Sequence, residues 1–208
     1  MLVYICGEKR LNMQGLNILI VGVGGQGTLL ASRVIGSAAA ASGFDVKVSE
    51  VHGMSQRGGS VVTYVRFGEK VASPLIDRGD ADIVLSFEAL EALRFLEYLK
   101  PDGTIIANEQ QIDPMPVVTG AERYPDGIIG LLKKSNTKSF TLDAAKIASD
   151  CGDIRAVNIV LIGVMAGLSL SSITADTWRE AVKNCVPQKA LEINLKAFDE
   201  GFERGSSK

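Results

Sequence analysis

One histidine, one tryptophan and three cysteines are scattered through the 208 residues. Cys6, Cys151 and Cys185 form no C-x-x-C pair, and His52 has no second histidine with which to share a metal. A zinc site or an iron–sulfur cluster held by this chain alone is therefore not expected. Thiols this few and this scattered read as reduced, which suits the cytoplasm. Charge of one sign is also missing: 22 basic residues stand against 24 acidic ones, so no bulk basic field invites nucleic acid. The start, "MLVYICGEKRLNMQGLN", has no basic segment followed by a long apolar one, and does not read as a signal peptide. The longest apolar run, "VNIVLIGVMAGLSL" (Val157–Leu170), is broken by Asn158 and falls short of the roughly 20 residues that a membrane span needs. It reads as a buried helix, with Gly163-x-x-x-Gly167 allowing a close helix contact.

The apolar share is 46%, enough for one domain with a full core. That domain is expected over residues 16–202, bounds set by the family resemblance given below, with an extension at 1–15 and a frayed tail at 203–208. "NILIVGV" (Asn17–Val23) is apolar almost throughout, as in a strand covered on both faces. An alanine-rich helix follows over Thr28–Ser42, ended by Gly43. Strands are predicted at Asp45–Val51, Ser60–Gly68, Ala81–Phe87 and Thr104–Asn108. The helix "EALEALRFLEYLK" lies between the last two and ends at Pro101-Asp102-Gly103. Beyond Asn108 comes a proline-rich connection with a short strand at Val117–Thr119, then a strand at Thr137–Asp143. Asp143 caps a helix over "AAKIASDCG", and Thr174 caps another. Pro187 opens the last helix, where Leu191, Leu195, Phe198 and Phe202 form one stripe. The fold class is α/β, a Rossmann-like doubly wound sheet with a helical C-terminal layer.

Two polar loops carry the candidate chemistry. Gly22, Gly24 and Gly27 match G-x-G-x-x-G between a strand and a helix, with Gly25, Gln26 and Thr28 beside them. The glycines allow a tight turn, close backbone approach to a phosphate and close packing of helix on strand. The helix start offers free N–H groups and a positive dipole end. Glu50 closes the second strand, where an acid would meet a ribose hydroxyl. Taken alone, this describes a stand-alone NAD(P)- or FAD-binding protein. Against it, the segment after Glu50 is no crossover helix but a second loop, "VHGMSQRGGS", holding His52, Gly53, Met54, Gln56, Arg57, Gly58 and Gly59. The other reading is a tight strand–helix junction with no nucleotide. Four further residues have a structural and a functional reading. Asn158 is a satisfied core amide, Asn194 bonds backbone across the domain, and Trp178 packs. Glu88 is a first-turn acid or serves the glycine loop.

"GVGGQGTLLASRVIGSAAAASG" and "SEVHGMSQRGGSVVTYVRFG" together resemble the gamma-type domain of the 2-oxoacid:ferredoxin oxidoreductases, in the branch acting on arylpyruvates. The likeness extends into "SPLIDRGDADIVLSFEALEALRFLEYLKPDGTIIAN", "RAVNIVLIGVMAGL" and "KALEINLKAFDEGF", and the E-V-H-G-M-x-Q-R-G-G string is its most specific part. The resemblance implies a subunit of an enzyme that decarboxylates a 2-oxoacid oxidatively with coenzyme A and ferredoxin. Thiamine diphosphate, its Mg²⁺ and the [4Fe–4S] clusters belong to a large alpha subunit in that family. This chain agrees, since "PDG" occurs twice but the G-D-G of a thiamine site does not. It is then catalytically silent alone and binds no cofactor of its own. His52 is the only candidate general base, and an interface contact is its plainer reading. The two loops form one polar face toward the large subunit. Gln26 and Thr28 offer hydrogen bonds there, and Arg57 offers a fork to a coenzyme A phosphate, to a partner carboxylate or to Glu50. No membrane or nucleic-acid role is expected, and the isolated chain is expected to self-associate through its uncovered face.

Overall fold

A computed structural model describes residues 15–50, 59–135 and 137–207. Six strands form one sheet: β1 (Leu16–Val23), β2 (Asp45–Glu50), β3 (Ser60–Gly68), β4 (Ala81–Ser86), β5 (Leu99–Asn108) and β6 (Lys138–Leu142). Their order is β2-β3-β1-β4-β5-β6. β1, β4, β5 and β6 run parallel, while β3 runs antiparallel to both β1 and β2. The antiparallel strand follows from chain length. A parallel return needs a crossover of about a dozen residues or more, and only 51–59 separate β2 from β3.

Helices cover both faces. α1 (Thr28–Ala41), α5 (Ala144–Cys151), α6 (Val157–Gly167), α7 (Ala175–Cys185) and α8 (Leu191–Ser206) pack over Ile18, Ile20, Val65, Leu85 and Ile106. α2 (Ala89–Arg94) and α4 (Ile128–Lys134) cover Leu19, Val21, Val84 and Ile105 on the other face. Alternate residues of β1 thus enter two different cores, which is why its sequence is apolar without alternation. β1 leads to a helix on one face and neighbouring β4 to a helix on the other. The sheet therefore has its topological switch point between β1 and β4, with a crevice beyond their C-terminal ends.

The deepest contact is between α6 and α8. All eleven residues of α6 are buried, so the long apolar run is a core helix as expected. Among the described residues no helix is long and apolar enough to cross a membrane. Gly163 and Gly167 meet a second pair, Gly201 and Gly205, that the sequence reading did not single out. A Cβ on Gly163 would lie 2.2 Å from Phe198 O, and one on Gly201 2.1 Å from Val160 O. Backbone touches backbone here, and no side chain can turn aside.

Five local expectations need correction. Val117–Thr119 is not a strand: a one-turn helix, α3 (Met115–Val118), begins after Pro114, with Pro116 in its first turn, where proline suits a helix. The helix expected to run to Lys100 stops at Arg94, and β5 starts at Leu99. Pro101-Asp102-Gly103 is a bulge inside β5: Ala81 pairs with Leu99 but Ile83 with Thr104. Asn194 bonds Ala190 O one turn back on its own segment, not a distant element. The tail expected to fray after Phe202 stays helical to Ser206, because Gly205 packs against Val164 O.

Replacing Gly163 or Gly201 with alanine is expected to force the helices apart and lower stability by about 1–3 kcal/mol despite alanine's better helix propensity. Gly130→Ala, on an open face of α4, is the control and is expected to be neutral or stabilising. Thermal unfolding of the three variants checks this; equal midpoints for Gly163→Ala and Gly130→Ala would refute the account.

Candidate functional site

The glycine loop leaves β1 at the sheet's C-terminal edge. Gly25 and Gly27 adopt φ of 99° and 83°, a left-handed backbone that favours glycine. At Gly22 a Cβ would stand 2.7 Å from Gln26 Oε1, so the missing side chain makes room for the Gln26 amide. That amide bridges the switch-point crevice. Its Oε1 accepts from the Val23 N–H at 2.7 Å, and its Nε2 donates to Phe87 O at 2.9 Å. Asn108, fully buried, continues the row: its Nδ2 also donates to Phe87 O, and its Oδ1 accepts from the Ala144 N–H.

Three residues of the loop have internal partners or are covered in this structure. Both ends of the Gln26 amide are engaged inside the protein, its Nε2 also reaching Gln110 Oε1 at 3.4 Å. The Gly24 N–H, the amide a pyrophosphate would approach, donates instead to Gly59 O at 2.9 Å. Thr28, the first residue of α1, is buried. Asn158 is the satisfied amide expected: it donates to Gly27 O and accepts from the Ile159 N–H.

Glu50 ends β2 and accepts a hydrogen bond from Ser32 Oγ on α1 at 3.0 Å. Because β3 lies between β2 and β1, Glu50 is two strand spacings, roughly 10 Å, to the side of the glycine loop. In a nucleotide-binding sheet the acid-bearing strand adjoins the first. Gly59 and Ser60 sit beside Val23 in the β3–β1 register, so the second loop does end against the glycine loop. His52, Gly53, Met54, Gln56, Arg57 and Gly58 lie outside the described residues.

The structure adds a cleft of about 360 Å³ where the two loops meet α2. Val23, Gly59, Ser60, Glu88, Leu90, Glu91, Arg94, Ile112, Pro114, Met115 and Pro116 line it. Glu88, one of the acids weighed from sequence, is 1% exposed and caps α2. Its carboxylate accepts from the Glu91 N–H, the Ile112 N–H and Tyr124 Oη, and so fastens the 109–127 connection over the helix. Burial, then the bond to Glu88, pushes the Tyr124 hydroxyl well above its ordinary range. Glu91 is 3% exposed and accepts from Ser60 Oγ and Arg94 Nη1. Sequence reading passed over Glu91 and Tyr124. The available signal was E-x-x-E at the start of an apolar helix, the spacing of a capping acid and its third-residue partner.

Among the described residues, no group of three or more His, Cys, Asp or Glu is placed to hold a metal ion.

Burial raises the pKa of Glu91 above 4.5, while Ser60 and Arg94 pull it down and Glu88 adds to the rise. The folded chain then holds this proton to higher pH than the unfolded chain does. Folding stability must fall as pH rises from 4.5 through the raised value. Glu91→Gln cannot titrate, so its melting temperature is expected to gain on wild type across that window. Melting curves taken in steps from pH 4 to 8 test this, and a constant difference would contradict it.

A family model described as pyruvate ferredoxin/flavodoxin oxidoreductase matches residues 17–204. A relative named indolepyruvate oxidoreductase subunit IorB, from Pyrococcus horikoshii, is 43% identical over 92% of this chain and 96% of its own. Its namesake from Archaeoglobus fulgidus is 39% identical over the same shares. Among solved structures, the gamma subunit of a keto/oxoacid ferredoxin oxidoreductase from Geobacter sulfurreducens superposes with a TM-score of 0.70. It shares 24% identity, over 93% of this chain and 99% of that one. The chain belongs to the pyruvate ferredoxin/flavodoxin oxidoreductase family.

Proposed function

We propose that this chain is the small, non-thiamine subunit of an indolepyruvate:ferredoxin oxidoreductase and works in the cytoplasm. The carrying observation is the match to subunits of that name along almost their whole length. The reaction takes an arylpyruvate, coenzyme A and two oxidised ferredoxins. It yields an arylacetyl-coenzyme A, carbon dioxide, a proton and two reduced ferredoxins.

Thiamine diphosphate with Mg²⁺ and the [4Fe–4S] clusters are assigned to the large subunit, where they supply decarboxylation and electron relay. The described residues of this chain offer no cluster of metal-ligating groups, and in its glycine loop the Gly24 and Gln26 N–H groups and the Gln26 side chain are engaged internally. Its contribution is a preformed polar edge. Gln26, Asn108 and Glu88 hold the strand ends, the α2 start and the 109–127 connection in fixed relation. To that edge we assign contact with the large subunit, and to Arg57 the binding of a coenzyme A phosphate or a partner carboxylate. Alone, the chain self-associates through the face that the large subunit covers.

Co-expression with the large subunit tests the reading. The complex is expected to reduce a viologen with indolepyruvate and coenzyme A, and the chain alone to show no turnover. Arg57→Ala is expected to weaken coenzyme A or the subunit contact about tenfold. A fully active large subunit lacking this chain would overturn the proposal, and an Arg57→Ala complex equal to wild type would overturn the role of Arg57.

A further inference from the structure

The cleft beside Glu91 has no part in the reading above. Its apolar wall is Leu90, Ile112, Met115 and Pro116. Among the described residues, its polar wall holds two nearly buried carboxylates, Glu88 and Glu91, against one half-exposed guanidinium, Arg94. Asp113, on the connection that closes the cleft, adds a further negative charge near Tyr124. Glu88 already accepts three hydrogen bonds, whereas Glu91 accepts two, from Ser60 and Arg94. A carboxylate offers about four acceptor positions, so Glu91 has room for another donor.

The mouth of the cleft is apolar. Met115 is 65% exposed and Val118, one turn on along α3, is 64% exposed. Two large apolar side chains one turn apart at the mouth of a cleft offer a partner apolar area to cover. The excess negative charge disfavours a phosphate or carboxylate ligand and favours a cation. The volume, about 360 Å³, is at the small end of the roughly 300–1,000 Å³ of small-molecule pockets, and suits one long side chain.

We propose that this cleft is a socket for a lysine or arginine side chain of the large subunit, whose apolar neighbours cover Met115 and Val118. The inference rests on the subunit reading and adds to it the surface and the chemistry of the contact. An arginine seated among apolar walls is one of the side chains enriched at the centres of protein interfaces.

The test measures the affinity of the purified full chain for the purified large subunit at several salt concentrations. Glu91→Gln is expected to weaken binding about tenfold or more and to flatten its salt dependence. Met115→Ser, at an exposed position on which folding does not depend, is expected to weaken binding about fivefold and carries the test alone if the glutamine variant does not fold. Val48→Ser, on the distant edge strand, is the unaffected control. Binding equal to wild type by both variants overturns the socket, including the case where turnover falls and the cleft takes a small molecule instead. A wild-type chain that does not bind the large subunit at all removes the subunit reading, and the socket with it.

Discussion

The amide of Gln26 decides what this sheet can do. A parallel α/β sheet is open where its crossovers change direction, and ligands enter the gap between the two strand ends. Here one side chain reaches across that gap and hydrogen-bonds the ends of β1 and β4. Gly22 has no side chain because the Gln26 oxygen occupies the space. Gly27 tolerates none because its φ is left-handed and Asn158 presses against it. The glycines that resemble a nucleotide fingerprint therefore serve an internal latch. The same spacing of residues satisfies two different physical demands, and only the partners of the amides tell them apart.

From that latch the edge is built outward. Phe87 O takes hydrogen bonds from both Gln26 and Asn108, and Asn108 also holds the start of α5. Glu88, the next residue after Phe87, holds α2 and the 109–127 connection. Buried polar groups linked in this way fix one arrangement, since each would be costly to leave unpaired. A rigid edge of this kind suits a subunit that completes a larger centre. In the opposite direction, the crossing of four glycines in α6 and α8 sets how closely the helical layer sits on the sheet.

The sequence made the strands legible where period and composition agreed. β1 and α1 read clearly because a two-faced strand and an alanine-rich helix leave strong signatures. Thr174 and Asp143 were legible as caps because their side chains act locally. The antiparallel direction of β3 was available in a connection too short for a crossover, but the sequence reading did not draw it. What failed was local chemistry overridden by tertiary contact. Val117 and Val118 look like strand residues, yet the prolines around them start a helical turn. Pro101-Asp102-Gly103 looks like a terminator, yet pairing on both sides of it extrudes it as a bulge. Gln26 was legible as polar and near the loop, but not as a brace, because its partner Phe87 lies 61 residues away in the chain. The cleft depended in the same way on distant segments, with Ser60 meeting Glu91 and Tyr124 meeting Glu88.

The central claim is that the crevice between β1 and β4 is closed from within, so that the chain works through its surface and not through a nucleotide of its own. The most direct measurement titrates the purified full chain with NADH, followed by nicotinamide fluorescence, and with FAD, followed by flavin quenching. The account predicts no saturable binding below about 1 mM for either. Saturation at micromolar concentrations would mean that the Gln26 latch opens to admit a dinucleotide, and would contradict it.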